Sequence, residues 1–411
     1  MDIEGFRGLL TERGRAALAE AAGSDVGEDA LLATASRLRG RYPAELVNAA
    51  LTQVRLRERA RAKFGDDAAR MFFTPAGLEQ STRAPVAAHR ARRFAESVTG
   101  TVLELGCGVG GDLLARGRAG LGGTGVELDP LTAEVARANV AAFGLDASVR
   151  VREGDATRAD PAGHGAVFAD PGRRTARGRV FDPRSYEPPL DTVLALAGRA
   201  PAACVKVAPG IPHEAVPDGA EAEWVSAGGE VKEAALWLGG LAGDVRRRAT
   251  LIDGGAVRTL VPDPGLGDPP VRGWGRYLYE PDGAVIRAHL VAEVAAAVGG
   301  GLADPRIAYV TSDAPVETPF AAGYEIEDVL PFSLKRLKAE LRRRGVGALT
   351  VKKRGSALDV DQVRRDLGYA RRAPRGAPPL TLLLTRVGDA PVALLATPLR
   401  RSPAADSKDL P

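Results

Sequence analysis

The stretch TVLELGCGVGGDLLARGRAGLGGTGVELDP, residues 101–130, decides how this chain is read. Thr101-Val102-Leu103 predicts a short strand that ends on an acid, Glu104. Gly106, Gly108, Gly110 and Gly111 follow, and an apolar helical segment begins near Asp112. A second strand over Gly123 to Val126 ends on another acid, Glu127. Strand, glycine turn, helix, strand and acid form the first half of a nucleotide-binding βαβ unit. The glycines permit a tight turn and a close approach of a ligand to the backbone. Glu127 falls where a carboxylate can take both hydroxyls of a ribose.

Gly106-x-Gly108-x-x-Gly111 also satisfies the dinucleotide fingerprint, so the glycines alone are a weak signal. Glu104, two residues before the first glycine, turns the reading. A pyrophosphate brought to this turn gains nothing from a carboxylate beside it, whereas a ligand bearing an ammonium and a sulfonium does. The pattern Glu-x-Gly-x-Gly-x-Gly resembles motif I of the class I S-adenosylmethionine-dependent methyltransferases. That resemblance implies a Rossmann-like, seven-stranded α/β sheet with S-adenosyl-L-methionine as cofactor. It makes Glu104, Gly106, Cys107, Gly108, Gly110 and Glu127 the cofactor-binding candidates.

At 411 residues the chain has room for two or three domains. The start, Met1-Asp2-Ile3-Glu4, is acidic where a signal peptide is positive. No run approaches the roughly 18 apolar residues of a membrane span. Cys107 and Cys204 are far apart and give neither a disulfide framework nor metal-ligand spacing, so no metal is expected. The expected location is the cytoplasm. Residues 331–400 carry 16 Lys+Arg against 5 Asp+Glu, a balance of +11; the tail 401–411 is neutral, which leaves −7 for residues 1–330. A basic module on a mildly acidic body points to a polyanionic partner, RNA first.

Residues 1–92 read as an N-terminal helical region, with Leu9, Leu10, Leu18, Leu31, Leu32, Leu38, Leu46 and Leu51 as candidates for buried faces. The charged run Arg55 to Lys63 reads as a solvated helix face in preference to an RNA contact. Gln80 and Thr82 are candidates for cofactor contact, with Ser81 or Thr82 near a helix start.

The methyltransferase domain is placed at 93–260. A helix over Leu131 to Phe143 leads to the strand Val149-Arg150-Val151 and then Glu153-Gly154-Asp155-Ala156. By the resemblance, Asp155 there accepts from the adenine amino group, with Ala156 beside it. The buried strand Ala166-Val167-Phe168 ends at Asp170-Pro171, the carboxyl end of the fourth strand, where ligands sit in open α/β sheets. Amino-group methyltransferases carry here an acid or amide, two prolines and an aromatic. This chain keeps Asp170-Pro171 but has Gly172-Arg173 in place of the rest. Asp170 and Pro171 are the catalytic candidates, Asp170 as a positioning acceptor or, if burial raised its pKa, a general base. Arg173, Arg174, Arg177 and Arg179 could hold substrate phosphate. Tyr186 is open to stacking or packing. Ala203 to Val207 reads as the fifth strand, and Lys232 and Glu233 could face solvent.

Val261–Pro270, a linker by composition, opens an α+β module placed at 261–330; a basic module follows over 331–400, with 401–411 read as a disordered tail. GRYLYEPDGAVIRA (275–288), VLPFSLKRLKAEL (329–341), VKKRGSALD (351–359) and LTLLLTR (380–386), with ELGCGVGGD and FADPGRR, carry a second resemblance. The chain is similar to bacterial class I methyltransferases with a ferredoxin-like module and a C-terminal THUMP-like domain. THUMP domains deliver structured RNA to an attached modifying enzyme. The resemblance implies that Arg342, Arg343, Arg344, Lys352, Lys353 and Arg354 meet phosphates of tRNA or rRNA. Two alternatives stand beside an RNA base methyltransferase. One is a methyltransferase acting on a protein or small molecule; the other is a non-catalytic RNA-binding protein with a vestigial cofactor site.

Overall fold

The computed structural model describes every residue except 26, 28, 173, 176–177, 180–185, 370–378 and 400–411; for 174–175 and 178–179 it describes the backbone only. The expected tail therefore lies outside the described residues. The chain forms two compact units: Met1–Ala227 with Lys232–Arg246 and Ile252–Val257, and Gly228–Val231 with Arg247–Leu251 and Arg258–Pro411.

The first unit begins with four helices, α1 (Ile3–Leu10), α2 (Glu12–Ala22), α3 (Leu31–Arg39) and α4 (Ala44–Phe64). Asp2 and Thr11 cap the first two by accepting from Gly5 and Gly14 N–H. Of the eight leucines expected inside, Leu9, Leu18, Leu38, Leu46 and Leu51 are buried, but Leu32 is 83% exposed. Its place on α3 turns it away from the core formed by Ala35 and Leu38. Two buried amides pin the extended Phe72-Phe73 to what lies on either side. Gln53 Oε1 accepts from Phe73 N–H at 3.0 Å, and Asn139 Oδ1 accepts from Phe72 N–H at 2.7 Å.

Next come α5 (Pro75–Gln80), capped by Thr74, and α6 (Ala84–Ser97). The sheet and its helices follow: β1 (Val102–Leu105), α7 (Gly111–Arg118), β2 (Gly123–Glu127), α8 (Pro130–Ala142), β3 (Val149–Glu153) and β4 (Ala166–Ala169). A two-residue pair, β5 (Arg174–Thr175) and β6 (Gly178–Arg179), precedes α9 (Leu190–Ala197), β7 (Ala202–Val207), β8 (Glu221–Ala227), β9 (Glu230–Gly239), β10 (Arg247–Asp253) and β11 (Ala256–Leu260). The strand order is β11-β10-β8-β9-β7-β4-β1-β2-β3. Strands β3, β2, β1, β4 and β7 pair in parallel, and β9 runs antiparallel to β7. The order reverses between β1 and β4, so a crevice opens at their carboxyl ends. Seven strands were expected and the sheet has nine, β11 being one of the additions. β8 and β9 are separate strands because Gly228 and Gly229 between them both take positive φ (62° and 76°), the geometry of a tight two-residue hairpin turn. Glu233, expected to face solvent, is instead 2% exposed, because β9 lies inside the sheet and its polar side chain finds a buried cation there.

The second unit holds β12 (Tyr277–Pro281), α10 (Gly283–Arg287), α11 (Val291–Ala297), β13 (Gly301–Asp304), β14 (Ile307–Ser312), β15 (Ala321–Pro331), α12 (Leu334–Arg343), β16 (Ala348–Lys353), α13 (Val360–Leu367), β17 (Pro379–Val387) and β18 (Ala390–Pro398). One sheet of order β13-β14-β12-β15-β18-β17-β16 runs through it. The eleven-residue β15 pairs antiparallel with both β12 and β18 and so joins the two halves. Leu337 and Leu341 of α12 and Val363 and Leu367 of α13 pack on Leu382, Leu384 and Leu395, which leaves the outer face of α12 to its cations. Among the described residues, no helix is long and apolar enough to cross a membrane.

Candidate functional site

A cleft of about 910 Å³ opens along the carboxyl ends of β1, β2 and β4 in the first unit. It brings together Glu104, Gly106, Cys107, Gly108, Glu127, Asp155, Ala156 and Asp170 from four separate stretches of sequence. Thr74 to Gly77 and Gln80 to Thr82, around α5, close another side. Gly110 is absent from the lining. It takes φ 87° as the N-cap of α7, and a Cβ there would meet Ala136 of α8 at 3.7 Å, so it shapes the turn from behind.

Gly106 and Gly108 take φ 77° and 54°, and a Cβ on either would point into open space. The turn thus leaves room above its backbone, and an L side chain would be strained there and fill that room. Gly106 and Cys107 N–H both donate to Val126 carbonyl oxygen, tying the turn to β2. Glu127 Oε2 accepts from Gly108 N–H at 2.9 Å and Oε1 from Asp129 N–H at 3.0 Å. Each oxygen keeps a further lone pair, and the two backbone bonds hold the carboxylate at the mouth of the turn.

Glu104 is 2% exposed and pairs with Arg116 of α7. Burial pushes its carboxyl up to about 7, with Arg116 opposing. Cys107 is free and buried, and burial pushes its thiol well up, which makes it a packing residue rather than a nucleophile. Asp155 caps the short turn Ala156–Arg158: its Oδ1 accepts from Thr157 N–H at 2.9 Å and from the Thr157 hydroxyl at 2.7 Å. Those bonds hold its carboxyl below the ordinary value while its side chain stays at the rim of the cleft.

Asp170 ends β4 and pairs with Lys206 of β7, and Lys206 Nζ also donates to Thr82 Oγ1 at 3.0 Å. Lys206 is 6% exposed. Burial works against its charge, but Asp170, Glu233 and Asp112 outweigh that and hold the ammonium above its ordinary value. The Asp170 side chain is 26% exposed, so the burial that would suit a general base is not met. Behind it Arg90 of α6 binds Asp112 Oδ1 at 3.0 Å and Glu233 Oε1 at 2.5 Å, and lies over the Phe168 ring at 4.8 Å. Burial works to raise Asp112, yet Arg90, Lys206 and Arg116 outweigh it and keep the carboxyl below its ordinary range. Pro171 is buried. Tyr186 is 1% exposed, with its hydroxyl accepting from Ala208 N–H, so it packs and does not stack on a ligand.

Two lining or supporting residues escaped the sequence reading. Lys206 sits inside the apolar run ACVKVA, and an isolated cation in an otherwise buried strand was the available signal. Glu187 reaches the cleft beside Gly172 through a local backbone pairing, for which the sequence carries no signal. Thr82, expected near a helix start, serves Lys206 instead; α6 begins at Ala84 without a side-chain cap.

The described lining holds seven carboxylates, Glu104, Asp112, Glu127, Asp129, Asp155, Asp170 and Glu187, and no Lys, Arg or His. Glu104, Asp112 and Asp170 are paired with Arg116, Arg90 and Lys206, and the carboxylates on this lining are hydrogen-bond acceptors for a ligand that carries N–H or O–H donors. Among the described residues, no group of three or more His, Cys, Asp or Glu could hold a metal ion.

The cations expected to meet RNA are largely occupied. Arg344 pairs with Glu327 at 2.7 Å, Asp328 at 3.1 Å and Glu340 at 2.6 Å, and Arg343 also pairs with Glu340. Lys352 binds Glu280 at 2.5 Å, Arg354 binds it at 3.4 Å, and Lys353 donates to Leu358 carbonyl oxygen. Arg342 remains exposed on α12 with Lys335 and Arg336, and no carboxylate among the described residues pairs with any of the three. Arg173 and the side chain of Arg174 lie outside the described residues, as do those of Arg177 and Arg179.

Fold and cleft together define an α/β protein with a nucleotide-binding glycine turn at the carboxyl ends of its parallel strands. A family model described as THUMP domain-like matches residues 321–398, and one described as a domain of unknown function matches residues 2–60. Two proteins of Mycobacterium tuberculosis, strains CDC 1551 and H37Rv, are described as uncharacterized S-adenosylmethionine-dependent methyltransferases. Each is 38% identical over 348 residues, covering 81% of this chain and 91% of its own. The crystal structure of a methyltransferase candidate from Porphyromonas gingivalis W83 shares the fold, with TM-score 0.70 and 24% identity over 88% of this chain and 92% of that one. This chain belongs to the S-adenosylmethionine-dependent methyltransferases, and S-adenosyl-L-methionine is its cofactor.

Proposed function

We propose that this methyltransferase modifies a base nitrogen in structured RNA, tRNA or rRNA. The observation that carries the RNA reading is the exposed trio Lys335, Arg336 and Arg342 on α12, with no carboxylate partner among the described residues, inside the segment that matches the THUMP domain-like model. Three cations on one short helix suit a phosphate backbone, and their contribution should fall steeply with salt.

In this reading Glu104 accepts from the cofactor's ammonium, the backbone of Gly106 to Gly108 lies along its methionine end, Glu127 takes the ribose hydroxyls and Asp155 the adenine amino group. Bound S-adenosylmethionine supplies an electrophilic methyl on a sulfonium. The protein's own work is to hold an acceptor in line at about 3–3.5 Å and to exclude water. Asp170, fixed by Lys206, accepts from the N–H of the acceptor base and turns its lone pair toward the methyl, and the proton that the methylated nitrogen sheds passes to solvent as the product leaves. Glu187 adds a second acceptor on the same wall. A carboxylate-lined cleft admits a neutral base and keeps its phosphates outside.

The test is methyl transfer into RNA from cells lacking this gene by the wild type and by Asp170→Ala. Transfer by the wild type and none by the variant, with cofactor affinity kept, supports the assignment. Full activity of the variant removes Asp170 from the site.

A further inference from the structure

The run Arg55 to Lys63 divides in the fold. Leu56, Ala60 and Phe64 are buried, Arg57 donates to Met71 carbonyl oxygen, and Lys63 Nζ donates to the carbonyls of Leu78, Glu79 and Ser81, each at 2.7 Å. Arg55 and Arg59, one turn apart on α4, are exposed, and no carboxylate among the described residues pairs with either. They rim a groove of about 490 Å³ between α3 and α4, within the roughly 300–1,000 Å³ of small-molecule sites. Its floor is apolar, built from Leu31, Leu51 and Leu56, with Leu32 standing exposed at its side. Arg39, whose guanidinium donates to Asn48 Oδ1 at 3.1 Å, forms the opposite rim. Pro75 lines both this groove and the cofactor cleft, so the two hollows adjoin.

We propose that this groove holds the single-stranded nucleotides that flank the target base. The proposal rests on the RNA reading above. The described lining of the cofactor cleft carries seven carboxylates and no cation, so none of those residues favours the phosphates on either side of an inserted base. The adjoining groove supplies arginines beside it. All three of its cations are arginines, which bridge phosphate oxygens in bidentate fashion and stack on base faces, and the leucine floor accepts the apolar face of a splayed base. An acidic peptide would use the charge but has no need of a broad leucine floor beside a base-sized cleft. All of the groove's lining residues but Pro75 fall within residues 2–60, the segment that matches the model described as a domain of unknown function.

The test compares the full-length wild type with R55A/R59A and, separately, K335A/R336A/R342A, in binding to RNA from cells lacking this gene at several salt concentrations. The R55A/R59A side chains are exposed, so the fold survives their loss, and unchanged cofactor affinity checks it. The expected result is about a tenfold loss of RNA affinity in R55A/R59A, with the slope of log K against log salt shallower by roughly 1.4–1.8. Wild-type binding with the same affinity and slope in R55A/R59A overturns the groove and leaves the RNA reading standing on α12. No RNA binding by the wild type overturns both. Methyl label lost from a protein fraction, and not from RNA, in R55A/R59A replaces the RNA with an acidic peptide.

Discussion

Lys206, buried in β7, holds the Asp170 carboxylate at the end of β4. The parallel register pairs Ala169 with Val205, and the next step along each strand sets these two side chains together. The geometry makes Asp170 an oriented acceptor whose direction depends on a residue that does not itself line the cleft.

Lys206→Met should therefore cut kcat by about 100-fold through loss of orientation, with cofactor affinity little changed. Asp170→Asn keeps an acceptor oxygen and should retain more activity than Asp170→Ala. Single-turnover transfer with calorimetric cofactor binding separates the two effects. Equal activity of the Asn and Ala variants would show that the Asp170 oxygen is not the acceptor.

Glu104 sets a pH dependence. Its native value of about 7 lies above the ordinary carboxyl value of 4.5, so the folded protein binds the extra proton more tightly than the unfolded chain. Its contribution to stability is full below the unfolded value and is lost as pH rises through about 7. In the proposed pose cofactor binding runs the other way, because only the ionised form of Glu104 would pair with an ammonium. Cofactor affinity should rise as pH passes about 7 and should become flat in Glu104→Gln. A pH profile unchanged in that variant would assign the titration to another group.

Arg90 is 2% exposed and carries both Asp112 and Glu233. Arg90→Ala leaves two buried carboxylates without their cation and should cost about 3–5 kcal/mol of stability, read by denaturant unfolding. A loss under about 1 kcal/mol would mean that the neighbouring Lys206 and Arg116 suffice.

The βαβ unit was legible because each of its signals is local: apolar strand, glycine turn, helix and acid lie within 30 residues (101–130). Asp155 and Asp170 were legible because they follow strand ends. Lys206 was not, since its meaning comes from a partner 36 residues away on a neighbouring strand. The partners of several basic C-terminal residues were hidden for the same reason. Lys352 pairs with Glu280, 72 residues earlier, and Arg344 with Glu327 and Asp328 of β15, so the run of charge in sequence does not show which cations are already paired in space. Leu32 fitted the apolar spacing of α3 but faces the groove, where periodicity cannot distinguish a core from a docking floor.

That pairing gives a contrast between two sets of basic residues. K335A/R336A/R342A should weaken RNA binding and make its salt slope shallower by roughly 2–3. Arg344→Ala should lower the melting temperature through loss of three ion pairs while leaving the salt slope nearly unchanged. Parallel thermal melts and salt titrations check both, and the reverse pattern would return RNA contact to Arg344.

The most direct measurement is transfer of labelled methyl from S-adenosylmethionine to total RNA from cells lacking this gene, followed by nucleoside analysis. The account predicts label in a single nucleoside methylated on a base nitrogen. Unlabelled RNA, with cofactor bound and label appearing in a protein fraction, would contradict it.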